Sequence, residues 1–202
     1  MELEKLKDGL RLARNMGIRE ALVGNLGLLL PARECGMRAR GDFGLNVFNS
    51  RSMMVCRDLE LTAATVSFEM TLPQIRDLSK FVDAEMLVYG RMPLMVTENC
   101  VIKNRTGSCT CNQGVNRLVD RTGAEFPIIK DGRSCRSVVL NGKKLSMLDR
   151  KKDLARMGLW GVRLCFTTEN RQEVDRVLRD YQEGTPFDPG ACTRGLYLRG
   201  LD

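Results

Sequence analysis

The sequence predicts an α/β protein that begins as half of a TIM-type (β/α) barrel and continues as a smaller, cysteine-bearing α+β region. Two observations lead to this prediction. Short apolar strands end in polar residues every 21 or 22 residues, the period of a compact strand–helix unit: Asn25, Asn46, Ser67 and Tyr89. After Gly90 this alternation stops, and glycine and cysteine become frequent. We therefore expect a partial barrel over residues 1–97 and a cysteine-bearing region over residues 98–202.

Local patterns predict the elements of the first region. A helix over 3–16 has leucines on one face and ends at Gly17, a residue suited to a helix C-cap. Another helix opens at Thr71 and Pro73, an N-cap followed by an early proline. Before and after it we expect strands at 20–25, 43–47, 63–67 and 85–89, and helices at 26–35 and 50–59.

The second region shows the patterns of antiparallel strands and one helix. Strands are expected at 126–129, 137–140 and 162–166, with Asn141 and Gly142 as a turn. The helix is predicted to start at Asn170, because Glu173 three residues later completes a capping-box pattern, and to end at Gly184.

Four strand–helix units leave the architecture of the first region open. A complete eight-fold barrel needs about 250 residues, whereas this chain has 202. Either the first half of a barrel is missing, another chain supplies it, or the sheet is open and smaller. Four parallel strands alone would leave an unpaired edge that another surface must cover.

Composition excludes several classes of function. The chain contains no histidine, which removes the commonest general base and the imidazole metal ligand. No apolar run is long enough to cross a bilayer and the N-terminus lacks a signal-peptide pattern, so we expect a cytoplasmic protein. The net charge of +7 allows contact with RNA without requiring it.

Four cysteines within 36 residues are the strongest chemical feature: Cys100, Cys109, Cys111 and Cys135. In a reducing compartment, metal binding or burial explains cysteines better than disulfides do. Four thiolates complete a tetrahedral zinc site or hold a [4Fe–4S] cluster. The alternative is that they are ordinary buried thiols. Cys192 is a further candidate ligand if Cys109 or Cys111 is not used.

Several separate motifs resemble those of peptidase family U32. They are Gly41–Ser50, Ser67–Thr71, Tyr89–Met95, Asp120-Arg121 with Phe126-Pro127, and Thr193–Tyr197. The resemblance covers nearly the whole chain. It implies a barrel-type α/β domain and then a cysteine-bearing region, with this chain similar to the second half of the barrel and to the region after it.

The resemblance also implies activities. The family includes collagenase-like peptidases and proteins that act in oxygen-independent hydroxylation of ribosomal RNA, transfer RNA or ubiquinone precursors, where cysteines hold a [4Fe–4S] cluster. Carried over to this chain, it places the cluster on Cys100, Cys109 or Cys111, and Cys135. Without histidine there is no Ser-His-Asp or Cys-His triad, so a peptidase would need an unusual mechanism.

Other polar residues are candidates for catalysis or substrate binding. Glu69 and Glu98 lie just beyond strands, where a carboxylate can act as general acid or base or can simply be solvated. The candidate substrate-binding residues are Asn46, Arg91, Arg121 and Arg136. Arginines suit a phosphate or carboxylate group, and the alternative is a solvated basic surface.

Together these features favour an iron–sulfur-dependent protein that hydroxylates RNA or a small molecule, with a [4Fe–4S] cluster as cofactor and zinc as the alternative. A collagenase-like peptidase is the second hypothesis, and a non-catalytic fragment or assembly subunit is the third. The expected partners are the substrate and a second copy or longer chain that completes the barrel, with no membrane.

Overall fold

The computed structural model describes residues 2–111, 114–131, 135–184, 186 and 188–199. The chain has a mixed α/β fold that contains parallel strands and helices. It forms two compact units that interleave along the sequence. The first unit comprises Met1–Leu87, Lys152–Arg163 and Gly195–Asp202, and the second comprises Val88–Lys151 and Leu164–Arg194. The boundary expected between residues 97 and 98 stays a prediction.

The described residues include both α-helices and β-strands. The α-helices are α1 (Glu2–Asn15), α2 (Leu29–Glu34), α3 (Ser50–Asp58), α4 (Leu72–Leu78), α5 (Val101–Thr106), α6 (Lys151–Ala155) and α7 (Arg171–Glu183). The strands are β1 (Glu20–Val23), β2 (Arg38–Gly41), β3 (Ala64–Thr65), β4 (Ala84–Gly90), β5 (Pro93–Thr97), β6 (Asn116–Val119), β7 (Glu125–Lys130), β8 (Ser137–Leu140), β9 (Lys144–Ser146), β10 (Gly161–Cys165) and β11 (Cys192–Thr193). None of these helices has the length and apolar character needed to span a bilayer.

The first unit is built on parallel strands. Strand β1 pairs with β2, β2 with β3, and β3 with the start of β4, where Ala64 lies opposite Ala84. Helices α2, α3 and α4 connect successive strands, so the predicted strand–helix repeat is confirmed. Among the described residues the strand order begins at β1 and does not return to it, so these residues form an open sheet and no closed barrel.

The prediction of a strand at 43–47 is wrong. The second parallel strand is β2, which ends at Gly41, and the Asp42 carboxylate accepts a hydrogen bond from the Phe43 N–H at 2.7 Å. This cap starts a single 3-10 turn, Phe43–Leu45, which Asn46 ends with a left-handed backbone (φ 48°). Side-chain capping has therefore overridden the apolar pattern that favoured a strand here.

The N-terminal helix forms where expected, but its apolar face is only partly covered, with Leu10 and Ala13 half-buried and Leu3 and Leu6 exposed. Helix α1 has no buried residue among those described. The core of the first unit instead lies around α3, α4 and the strands, where the side chains of Met53, Ile75 and Leu87 are fully buried. The predicted N-cap of α4 is confirmed, since Thr71 forms a capping box with Gln74.

The second unit contains two groups of strands. The end of β4 pairs antiparallel with β9, which pairs parallel with β11. A separate antiparallel sheet has the order β5-β8-β7-β6, which confirms the expected antiparallel piece. Helix α7 has the predicted caps, with Asn170 and Glu173 in a capping box and Gly184 in a left-handed conformation (φ 80°). Its Val177 packs with Tyr89 and Leu148 in a buried cluster.

Candidate functional site

Three of the four predicted cysteine ligands lie together in the second unit. Cys100 is the N-cap of α5, where its Sγ accepts a hydrogen bond from the Lys103 N–H at 3.4 Å. The Sγ atoms of Cys109 and Cys111 are 3.4 Å apart. Cys100 and Cys111 both pack against a small apolar cluster of Ile102, Ile128 and Val139. We call Cys100, Cys109 and Cys111 the thiol group.

The two close thiols differ in acidity. Hydrogen bonds from the backbone and then the side chain of Cys111 lower the pKa of Cys109, and Lys130 and Lys103 lower it further. The hydrogen bond to Cys109 raises the pKa of Cys111 to about 11, with burial and the nearby Cys100 adding to the effect. Cys109 is therefore the first thiol of the pair to become a thiolate, the form that binds metals.

The contacts of the described residues do not include the fourth predicted ligand in the thiol group. Cys135 is exposed and comes after residues 132–134, which lie outside the described residues. Within the described part of the chain, no three cysteine or carboxylate side chains have the arrangement of a metal site. The thiol group thus has the donor chemistry for a soft metal, whereas these described residues do not form a complete coordination shell.

The predicted catalytic carboxylates lie in different settings. The backbone N–H of Glu69 donates to the Ser67 hydroxyl at 3.3 Å, in the segment before α4. Glu98 forms an ion pair of 2.8 Å with Arg136, and its side chain is 78% exposed. An exposed pair of this kind is strongly solvated.

The predicted substrate-binding residues are also dispersed. Asn46 is exposed and ends a 3-10 turn, and Arg121 is exposed in the turn between β6 and β7. Arg136 is occupied by Glu98 at the surface. Arg91 differs from these three, because it lines a cavity of about 700 Å³ that lies entirely within the second unit.

Two lining residues of this cavity, Tyr89 and Lys144, contact a buried carboxylate that does not itself line it. Glu169, whose side chain is fully buried, accepts hydrogen bonds from the Tyr89 hydroxyl at 3.1 Å and from the backbone N–H groups of Thr167 and Thr168. It also pairs with the Lys144 ammonium at 2.9 Å. Burial alone would raise the pKa of Glu169, but the bond from Lys144 and the backbone donors lower it to about 2. Glu169 therefore stays ionised and holds Lys144 and Tyr89 in place.

A second buried ion-pair network lies in the first unit. Arg163 on β10 contacts the carboxylates of Glu85 and Asp42, the latter at 2.5 Å, and donates to the Thr65 hydroxyl at 2.8 Å. Arg40 also pairs with Glu85 and stacks on the Trp160 ring at 4.3 Å. Each of these charged groups pairs with one of opposite sign, as is typical of ion pairs that stabilise a fold.

Sequence reasoning did not find the residues of these two networks. Lys144 and Glu169 are 25 residues apart and carry no local motif. One signal was present, since Glu85 is a carboxylate inside the otherwise uncharged strand β4 and a charge in a buried strand needs a partner. Nothing in the sequence identified Arg163 as that partner.

Comparison with known proteins identifies a family. The model of a family described as peptidase family U32 matches residues 1–185 of the chain. The matched range includes the thiol group, Glu169 and Arg91, whereas Cys192 lies beyond it. No curated protein matches the chain.

Proposed function

Because the chain belongs to peptidase family U32, we propose that it is an iron–sulfur-dependent protein that acts in oxygen-independent hydroxylation of RNA or of a small molecule. The cluster would be a [4Fe–4S] centre held by Cys100, Cys109 or Cys111, and Cys135. When bound, such a cluster supplies electron transfer to a reaction that does not use oxygen.

The thiol group is the observation that supports this proposal. It brings three soft sulfur donors together, and two of them, Cys100 and Cys111, pack against the apolar cluster of Ile102, Ile128 and Val139. The hydrogen bonds from Cys111 lower the pKa of Cys109, which favours its thiolate, the form that binds metals. Lys103 and Lys130 add positive charge that compensates an anionic centre.

Zinc is the alternative cofactor, and one distance favours it. A tetrahedral site with Zn–S bonds of about 2.3 Å separates neighbouring sulfur atoms by roughly 3.8 Å. The Sγ atoms of Cys109 and Cys111 are 3.4 Å apart, so a small adjustment lets both bind one ion.

Metal analysis of the protein purified without oxygen tests the cofactor. A [4Fe–4S] cluster predicts about four irons and four acid-labile sulfides per chain. Cys100→Ser should lower the iron content, whereas Cys35→Ser should keep it, because Cys35 lies in the first unit and its thiol donates to the Lys7 carbonyl at 3.6 Å. One zinc ion per chain and no iron would contradict the cluster and identify zinc as the cofactor.

Hydroxylation is tested in cells that lack the protein. Mass spectrometry of RNA nucleosides and of small-molecule extracts, from cells grown without oxygen, should show the loss of one hydroxylated product. The intact chain and Cys35→Ser should restore that product, and Cys100→Ser should not. An unchanged set of hydroxylated products would contradict the proposed activity.

Peptidase activity is the second candidate, and the description of the matching family favours it. Gelatin or casein cleavage by the purified chain, unchanged in Cys100→Ser, would support it. Because the chain has no histidine, this activity would need a nucleophile activated in another way.

We also propose that the parallel strands are part of a barrel completed by a second copy or by a longer chain. Exposed leucines near the edge strand β1 support this: Leu12, Leu22 and Leu26 are 62, 52 and 56% exposed. An apolar edge of this kind usually has a partner. Light scattering coupled to size-exclusion chromatography should give an assembly, and a stable folded monomer would contradict completion by a second copy.

A further inference from the structure

The cavity in the second unit is a site separate from the thiol group. We propose that this cavity, lined by Arg91, Lys144 and Cys192, binds a small organic anion that carries a carboxylate or phosphate group. The inference goes beyond the proposed function, because it requires no metal and no hydroxylation.

The size and walls of the cavity suit a small molecule. Its volume of about 700 Å³ lies within the range of about 300–1,000 Å³ that is usual for ligand sites. Leu148, Val177 and Tyr89 contribute an apolar surface from their buried cluster. A ligand with a carbon skeleton and one charged end therefore matches the lining.

Within the part of the chain that the structure describes, two cations of the lining are held by carbonyl groups and form no ion pair. The Arg91 guanidinium donates to the carbonyl of Asn141 at 2.8 Å and to that of Gly142. The Lys143 ammonium donates to the Pro189 carbonyl at 3.0 Å. Carbonyl groups fix the position of a cation but leave its charge, so both residues retain attraction for an anion.

A third cation is fixed on the cavity wall by the buried carboxylate. Lys144 is held by Glu169 at 2.9 Å and lies 3.8 Å from Glu173. Because Glu169 has three further donors, Lys144 supplies only part of its hydrogen bonding. The ammonium group has three N–H bonds, of which Glu169 and Tyr89 engage two, so the third can reach Glu173 or a ligand.

The lining has more basic than acidic side chains, and Glu169, which is not in the lining, balances the charge of Lys144. Among the described residues that line the cavity, four are basic and two are acidic: Arg91, Lys143, Lys144 and Arg176 against Asp180 and Asp188. A concave surface with an excess of one charge raises the local concentration of ligands of opposite charge.

The Cys192 thiol provides a native reporter inside the cavity. Burial and Asp188 raise the pKa of Cys192, whereas Lys144, Arg194 and Arg91 oppose that rise. The same cations that would bind the anion thus act on this thiol. A ligand held by Arg91 and Lys144 should therefore shield the Sγ atom of Cys192 from an alkylating reagent.

Alkylation of the full chain by iodoacetamide, monitored peptide by peptide with mass spectrometry, tests the site. The probes are inorganic phosphate and malonate, with neutral malonamide as the control for non-ionic effects. We expect at least one anion to slow the modification of Cys192 in a saturable way, while the exposed Cys109 reacts at an unchanged rate. If only phosphate or only malonate slows the alkylation of Cys192, the site prefers a phosphate or a carboxylate group, respectively.

Variants separate anion binding from a change in structure. Arg91→Gln removes a charge-assisted contact, so the half-saturating anion concentration should rise about tenfold. Arg176→Gln, on the exposed face of α7, should raise it less and tests the site even if Arg91→Gln does not fold. Arg179→Gln is the matched control on the same helix and should leave protection unchanged.

Three results would overturn the proposal. The first is the absence of protection by either anion at high millimolar concentration. The second is equal protection by malonamide. The third is protection that is the same in wild type, Arg176→Gln and folded Arg91→Gln, because the cations would then not bind the anion.

Discussion

At the scale of single residues, Glu169 organises the second unit. Its carboxylate is fully buried and receives donors from β4, β9 and its own loop, through Tyr89, Lys144 and the N–H groups of Thr167 and Thr168. A buried carboxylate is costly unless every lone pair is used. This saturation explains why its pKa falls to about 2.

The depressed pKa of Glu169 predicts a loss of stability in acid. A carboxylate whose folded pKa lies below its ordinary value of about 4.3 stabilises the fold above that value, and the effect is lost as pH falls toward 2. We expect Glu169→Gln to lower the free energy of unfolding by on the order of 2 kcal/mol at pH 7. Urea unfolding between pH 7 and pH 2 measures this difference, which should shrink below pH 4.

The matched control for this prediction is Glu173→Gln. Glu173 also approaches Lys144, at 3.8 Å, and glutamine preserves its capping bond to the Asn170 N–H. Its effect on unfolding should be small at every pH. A deficit of Glu169→Gln that stays constant down to pH 2 would contradict the assigned ionisation.

At the scale of elements, the end of strand β4 depends on a glycine. Gly90 has a φ of +133°, and a Cβ atom there would overlap the carbonyl oxygen of Cys165. Both the backbone conformation and the close approach exclude larger residues. The position also precedes Arg91, so the glycine helps to place the cavity cation.

Substitution of Gly90 should therefore be severe. Gly90→Ala is expected to cost more than about 3 kcal/mol or to prevent folding. Gly107→Ala measures the cost of a left-handed backbone alone, since Gly107 has a φ of +75° and no atom near its Cβ position. This substitution should lower the free energy of unfolding by about 1–2 kcal/mol. Thermal unfolding measured by circular dichroism compares the two, and equal losses would refute the steric argument.

At the scale of the whole molecule, the C-terminal segment completes the first unit. Tyr197 is fully buried, its hydroxyl donates to the Leu87 carbonyl at 2.7 Å, and its own carbonyl accepts the Leu72 N–H at 3.0 Å. Within the second unit, Arg194 forms a two-bond contact with Asp149 at 2.5 and 2.7 Å. These contacts give a structural role to the Thr193–Tyr197 motif.

Tyr197→Phe tests how much this segment stabilises the fold. The variant leaves the buried Leu87 carbonyl without its donor, so we expect a loss of about 1–2 kcal/mol in the free energy of unfolding. Tyr181→Phe, at a partly buried ring on α7, should change stability much less. Chemical denaturation of both variants gives the comparison, and a neutral Tyr197→Phe would show that the hydroxyl bond is dispensable.

Several features of the protein could be predicted from local sequence. The caps of α4 and α7, the strand–helix repeat and the antiparallel strands arise from hydrogen bonding and periodicity within a few residues. The clustering of Cys100, Cys109 and Cys111 was indicated by their spacing, and family membership by separate short motifs. Each of these features depends on residues that lie close together in the sequence.

Only the tertiary structure decided which distant charges meet. Glu169 pairs with Lys144, and Arg163 with Glu85 and Asp42, across 25 to 121 residues of sequence. The cavity around Arg91 exists because loops and strands separated in sequence pack side by side. A charge encodes no preferred partner by itself, since its pairing depends on burial and geometry that arise only when the chain has folded.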